Sequence, residues 1–327
     1  MDLLQSFSRF YWFLFYFICL ILHVTMFLLI WYKTTKILST MKLFLYFSVA
    51  VNFGLASLAF GTQVRIVYNP ISMALLCDGF CKYLGPNTCF QMYCTSVIFA
   101  ALSCLINLHT LYYRTMSLKF YDKAEAVKRT VWFSWHYLLP PGFLVLVNIL
   151  PKNHEFVRKE TMDLHPEYNL EVYRDFGGFA DANHLSLSIN NLMILAFGAF
   201  YVPIIGFYWR KKALKVLEGT TSKMTSPANK VLFTVFIKGL GLQVLLPLCC
   251  YFPLAVLFLW NVYSNSPLLI SQYSLQVLSS LPCIYDPLIQ IWFIMPYRVT
   301  IQRVLMCQKG QKVRPTVNVT VDNDNDV

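Results

Sequence analysis

Seven stretches of this chain run apolar for twenty or more residues, and polar clusters separate them: 10–32, 43–63, 89–112, 130–150, 185–209, 231–260 and 268–296. An α-helix rises about 1.5 Å per residue, so about 20 residues cross the roughly 30 Å of hydrocarbon in a bilayer. The pattern therefore predicts seven membrane-spanning helices. The first stretch is 23 residues long, and no small-residue cleavage motif follows it. That is too long for the apolar region of a signal peptide, so it is expected to stay as the first helix.

Composition agrees with the pattern. Hydrophobic residues make up 57% of the 327 and charged residues only 13%, whereas a soluble domain carries about 25% charged residues. Aromatic residues reach 17%, which suits amphipathic rings at membrane interfaces as well as buried ones. The class is a polytopic membrane protein.

The net charge of +11 changes the picture only through its placement. Segments 33–42, 113–129, 210–230 and 297–327 hold nineteen Lys and Arg; segments 1–9, 64–88 and 151–184 hold seven, and Lys238 falls inside the sixth run. Basic loops stay on the cytoplasmic side, so the N-terminus is expected outside and the C-terminus inside. The positive charge then meets anionic membrane lipid, and nucleic acid is not needed as a partner. The implied organisation is an extracellular 1–9, a bundle over 10–307 ending in a short interfacial helix at 297–307, and a disordered cytoplasmic tail at 308–327.

The polar groups inside the apolar runs carry the chemistry. Asp286 is the sole charged side chain between Lys238 and Arg298. A buried unpaired carboxylate is costly, so Asp286 should face the bundle interior with partners, of which Asn52 in the second run is one. Pro287 follows it and favours a kink. Together they read as a polar hinge, set against a fixed hydrogen bond between helices. Arg114 closes the third run after Tyr113. It reads either as a snorkelling end group or as a cytoplasmic switch lacking the usual acidic neighbour. In the sixth run Gln243 precedes Pro247 and Pro253, and two prolines in one span imply a bent helix.

Three cysteines, Cys77, Cys81 and Cys89, crowd the segment before the third run. In an oxidising compartment two of them should pair and one should remain. Their spacing does not repeat and histidines are distant, so no metal site is expected. Segment 151–184 holds seven acids, four bases and three histidines and reads as a solvated acidic loop. Cys307 ends the last short helix and is a candidate for palmitoylation, with a free thiol as the alternative.

The motifs Gln243-x3-Pro247-x5-Pro253, then Pro282-x3-Asp286-Pro287-Leu288, a closing Tyr297-Arg298, and Tyr113-Arg114 at the end of the third run resemble those of the nematode serpentine chemoreceptors of the Str superfamily. The stretch GFCKYLGPNTC looks most like its class d (delta), Srd. The resemblance implies a rhodopsin-like seven-helix bundle that responds to small environmental molecules and couples to a heterotrimeric G protein. It also implies the plasma membrane, in sensory cilia of chemosensory neurons. No cofactor is implied.

On that reading, polar and aromatic groups at the outer depth of the spans are candidates to touch ligand. They are Tyr93, Asn190 and Asn191, then Tyr251 and Gln272, then Tyr273 and Gln276. Arg114, Arg210, Lys211, Lys212 and Arg298 would face the G protein, and Asn52, Arg114, Gln243, Pro247, Pro253, Asp286 and Pro287 would form the switch. A transporter or channel is the alternative, but no internal repeat and no chain of intramembrane charges supports it. An enzyme is set aside because no HExxH, GxSxG, GxGxxG or phosphate-binding loop is present. The last run has no lysine for a retinal Schiff base.

Overall fold

The computed structural model describes residues 2–34, 41–119, 123–149, 152–180, 198, 200–219, 227–263 and 269–306. Long helices dominate: α1 (Asp2–Lys33), α2 (Lys42–Thr62) and α3 (Pro86–Lys119) come first. The next span is interrupted, with α4 (Lys123–Phe133) and α5 (Leu139–Ile149) joined by a 3-10 turn at Ser134–Leu138. Pro140 and Pro141 explain the turn, because neither can donate to the carbonyl one α-turn back. After α6 (His154–Leu164) come α7 (Val202–Gly219), α8 (Pro227–Tyr263), α9 (Leu269–Ser280), α10 (Pro282–Phe293) and α11 (Met295–Leu305).

Among the described residues, five helical segments are long and apolar enough to cross a bilayer, and α9–α10 with α11 form a sixth, bent by 95° at its break. The expected fifth span, 185–209, lies mostly outside the described residues. The first helix begins eight residues before its apolar run, at Asp2. α8 runs unbroken through Pro247 and Pro253. α3 sits at the centre: 72% of its apolar window is buried, against 28–50% for the other spans.

Segment 64–88, expected as a plain loop, builds a hairpin instead. Strands β1 (Val64–Tyr68) and β2 (Met73–Cys77) pair antiparallel with Val64 opposite Cys77 and Tyr68 opposite Met73. Asn69 closes the turn, its N–H donating to Ser72 O at 2.8 Å and its side chain to Ser72 Oγ at 3.0 Å. A third strand, β3 (Gly177–Phe179), adds to β2 with Met73 opposite Phe179.

The sheet is buried on both faces. Val64, Ile66, Met73, Leu75 and Cys77 join the main core of the bundle. Val67, Ala74 and Leu76 join a second core with Val157, Leu170, Tyr173 and Phe176. The described part of this segment, 152–180, is thus not a solvated acidic loop: Glu155, Asp163, Glu167, Glu171 and Asp175 are exposed and Glu160 is half-buried, while α6, a 3-10 turn at Leu170–Tyr173 and β3 fold over the sheet. The hairpin and this layer roof one end of the bundle. Gly79 lets the roof approach α2, since a Cβ there would lie 2.1 Å from Gly61 O.

Candidate functional site

The predicted Asp286–Asn52 pair is present, inside a larger knot. Asp286 is 1% exposed. One carboxylate oxygen accepts from Asn107 Nδ2 at 2.8 Å and Asn52 Nδ2 at 3.1 Å, and Ser103 Oγ lies 3.5 Å from it. The other accepts from Gln243 Nε2 at 3.4 Å. Ser103 Oγ donates to Asn52 Oδ1 at 2.7 Å. Gln290 Nε2 extends the network to Ser48 Oγ at 3.2 Å. Four spans therefore meet at one carboxylate: α2 through Asn52, α3 through Ser103 and Asn107, α8 through Gln243, and α10 through Asp286.

No basic side chain pairs with Asp286 among the described residues. Neutral donors alone solvate it, an arrangement whose strength depends on all of them staying in place. Beside it lies a cavity of about 10 Å³ lined by Ser48, Asn107, Gln243 and Gln290, room for about one water molecule. Pro282 and Pro287 both lie in α10, where the backbone restarts after a turn at Leu281. The carboxylate thus sits on the segment just past a helix break.

Further along α3, Arg114 is buried, with its guanidinium 5.9 Å from the Phe236 ring. Tyr113 packs its ring on Phe44 at 5.3 Å. Chain direction puts the ends of α3, α7 and α10 together, away from the roof. Lys211 there is exposed, Lys212 lies over the Trp209 ring at 4.5 Å, and Arg298 lies 5.7 Å from the Trp292 ring. Arg210 is half-buried against Gly241. Tyr297 is fully buried and its hydroxyl meets Thr34 Oγ1 at 2.8 Å, tying α11 to the end of α1. Ile301 packs partly against the core, while Val304 and Leu305 are exposed.

At the roofed end, three of the predicted ligand contacts share one cavity. Tyr93, Tyr251 and Gln276 line about 40 Å³ of open interior with Ile66, Tyr68 and Met73 of the sheet. Tyr251 donates to Ser279 O at 3.4 Å. Gln276 is also a fastener: its Nε2 donates to Thr62 Oγ1 at 2.8 Å, and its Oε1 accepts from Val64 N. Gln272 and Tyr273 do not join this cavity. Gln272 Oε1 accepts from Arg65 Nε at 2.8 Å, and the Arg65 guanidinium lies 5.3 Å from the Tyr273 ring. Asn190, Asn191 and Cys307 lie outside the described residues.

Of the three cysteines, Cys81 and Cys89 are bridged, which ties the 3-10 turn at Phe80–Tyr83 to the first turn of α3. Cys77 is free and buried beside them, all three sulfurs within 4.8 Å of one another, and burial pushes its thiol up to about 12. Asp78 anchors the same corner. Arg9 Nε and Nη2 reach it at 2.5 and 2.8 Å, Lys82 Nζ at 2.9 Å and Gln5 Nε2 at 3.3 Å. Burial pushes its carboxyl up, but Arg9 and Lys82 outweigh burial and hold it below the usual carboxylate range.

Two features were not anticipated. Ser103 and Asn107, one helical turn apart, complete the Asp286 knot. His109 is buried, with Nδ1 2.9 Å from Tyr137 Oη and Nε2 3.1 Å from Thr130 O. It lines an apolar groove of about 580 Å³ between α2, α3 and α4, with Phe44, Phe47 and Tyr113. The signal for the first was the Ser-x3-Asn spacing on α3.

Comparisons with known proteins agree on one group. The family described as "Serpentine type 7TM GPCR chemoreceptor Srd" matches residues 8–303. Serpentine receptor class delta-63 of Caenorhabditis elegans is 44% identical over 277 residues, covering 85% of each chain. Serpentine receptor class delta-51 is 29% identical over 92% of this chain and 87% of its own, and delta-50 is 32% identical over 73% and 70%.

Proposed function

Because the chain belongs to the Srd family of serpentine seven-transmembrane chemoreceptors, we propose that it binds a small environmental molecule at the roofed end and shifts to a conformation that engages a heterotrimeric G protein at the opposite end. The roofed end faces outward and the basic end faces the cytoplasm, in keeping with the bias of Lys and Arg. The plasma membrane of sensory cilia is its place of action. The 297–305 helix lies along the cytoplasmic interface, in keeping with its 95° turn and the exposure of Val304 and Leu305.

The observation that carries this reading is the Asp286 knot. A single buried carboxylate holds α2, α3, α8 and α10 through neutral donors only. Such a knot has discrete alternatives, because each donor that leaves weakens the acceptor for the rest. A ligand that favours a rearranged bundle end shifts the population by its differential affinity for the two arrangements. Arg114, further along α3, lies where a partner would meet the opened basic end.

Nucleotide exchange on purified G protein tests the reading without a known agonist. The chain is compared with Arg114→Ala and Asp286→Asn at equal surface level. Basal exchange that differs between them supports a receptor whose switch includes these residues. Silence of all three against every G-protein class, and against odorant panels, refutes it.

A further inference from the structure

Arg65 is the one charged side chain on the two-faced hairpin strand β1, and it is 1% exposed. It points to the second face of the sheet, toward the layer formed by α6 and residues 165–176. Its guanidinium stacks over the Tyr168 ring at 4.2 Å and the Tyr273 ring at 5.3 Å. Only neutral groups accept from it: Nε donates to Gln272 Oε1 at 2.8 Å, and Gln272 Nε2 donates in turn to Tyr168 Oη at 3.3 Å. The Tyr173 phenol lies within hydrogen-bonding reach of both Arg65 and Tyr273.

Arg65 Nη2 and Tyr273 Oη are both buried without a hydrogen bond of ordinary geometry, the Tyr173 phenol being the polar group nearest to satisfying them. No carboxylate of the described residues pairs with Arg65. A buried cation without a counter-ion is among the most expensive groups a protein can hold, and structural packing alone is served better by an apolar side chain. Two under-satisfied donors and one formal positive charge call for an acceptor with two oxygens and one negative charge. A dianionic phosphate would bring excess charge. The tyrosine faces suit an organic substituent.

We propose that Arg65 and Tyr273, framed by Tyr168, Tyr173 and Gln272, form a recognition site for the carboxylate of a small organic acid. Of these residues only Tyr168 lines the roof cleft of about 530 Å³, with Arg158, Arg174, Glu167 and Glu171, so approach from that cleft requires the Tyr168 ring to turn aside. Tyr168 is the shared wall between that cleft and the guanidinium. Gln272 and Tyr273 lie on α9, the first half of the span that carries Asp286 on α10. A carboxylate that draws Arg65 away from Gln272 therefore loosens the tie between roof and seventh span. Ligand recognition as its purpose rests on the receptor reading; the binding step itself does not.

The test uses the full chain in nanodiscs at neutral pH, with butyrate, hexanoate and benzoate as probes and their primary amides as controls. Melting temperature is followed as a function of probe concentration. The acids are expected to raise it and the amides not to. Tyr273→Phe keeps the ring and the fold and should weaken the apparent affinity about tenfold by removing one charge-assisted hydrogen bond. Arg65→Gln should abolish the acid effect. Equal shifts from acids and amides, no shift from any acid, or an acid shift that survives both substitutions overturns the proposal. Nucleotide exchange measured in parallel separates the two readings. Acid binding with no exchange under any condition leaves the anion site standing and sinks the receptor. Exchange evoked by neutral probes, with no acid binding, does the reverse.

Discussion

Replacing Asp286 by Asn should raise basal signalling, and the structure sets the scale. The carboxylate accepts hydrogen bonds from Asn52, Asn107 and Gln243, while the single Ser103 proton goes to Asn52 Oδ1 and orients that amide. An amide can keep its oxygen for Asn52 and Asn107, but it sets an NH₂ group against Gln243 and removes the charge, so the Gln243 bond is lost and the remaining bonds fall to about half their strength. Hydrogen bonds between transmembrane helices contribute about 0.6 kcal/mol on average and up to about 1.7. The loss is therefore about 1–3 kcal/mol, suffered by the arrangement that contains the knot. If the knot belongs to the resting arrangement, the balance moves toward the active one by about 5- to 150-fold. The assay is basal nucleotide exchange in membranes matched for surface receptor, with Asp286→Ala and Asn52→Asp/Asp286→Asn alongside. Asp286→Ala removes the shared acceptor altogether, leaving Ser103 only Asn52 Oδ1 and Gln243 only the residue-286 carbonyl, and should depress surface level. The double variant returns a carboxylate to the same cluster, 3.1 Å across the original pair, and should bring exchange back toward the starting value. The reasoning is refuted if Asp286→Asn loses surface level as Asp286→Ala does. It is refuted equally if Asp286→Asn reaches the surface with unchanged exchange. Either result would make the knot a folding element.

Three further outcomes concern the roof. Peptide mapping without reduction should find Cys81 linked to Cys89; Cys89→Ser should cost about 2–3 kcal/mol of roof stability, seen as a lower melting temperature, while Cys77 resists alkylation until denaturation. Gly79→Ala should destabilise by about 1–3 kcal/mol, because the new Cβ meets backbone atoms that cannot move aside; Gly142→Ala, with open space around it, should be silent in the same thermal melt. The pH response should separate His154 from Asp78. Burial lowers the His154 imidazole and Lys152 adds to the effect, outweighing an opposing hydrogen bond with the Gly178 backbone. Its contribution is therefore complete above about pH 6.5 and lost as pH falls below that. The depressed Asp78 contributes above about pH 4 and fails only in stronger acid. Hydrogen exchange of residues 154–164 and 177–179 should quicken between pH 7.5 and 5.5 beyond its intrinsic rate, and His154→Gln, not Asp78→Asn, should flatten the change.

What could be read from the chain and what could not follows from burial geometry. Asp286, Asn52 and Gln243 stood out because each interrupts an apolar run, where a polar group must find a partner inside the bundle. Ser103 and Asn107 were hidden by company: α3 also buries Ser96, His109 and Thr110, so no single polar residue on it was conspicuous. The hairpin was illegible for the opposite reason. Strand signals come from alternation, and a strand covered on both faces loses it. Val64, Ile66, Val67, Leu75 and Leu76 are buried against one core or the other, leaving a short apolar stretch that reads as loop beside helices.

The same blindness hid a second duty of two glutamines. Gln272 and Gln276 sit at the depth expected of ligand contacts, yet both bind β1, one through the Arg65 side chain and one through the Val64 backbone. The two attachments use neighbouring residues of the same strand, and both end on α9. The roof is therefore fastened more directly to the seventh span than to any loop. Whatever displaces the roof must act first on α9, and α9 is separated from the Asp286 knot only by the turn at Leu281. A signal that enters through the roof has its shortest physical route through that break.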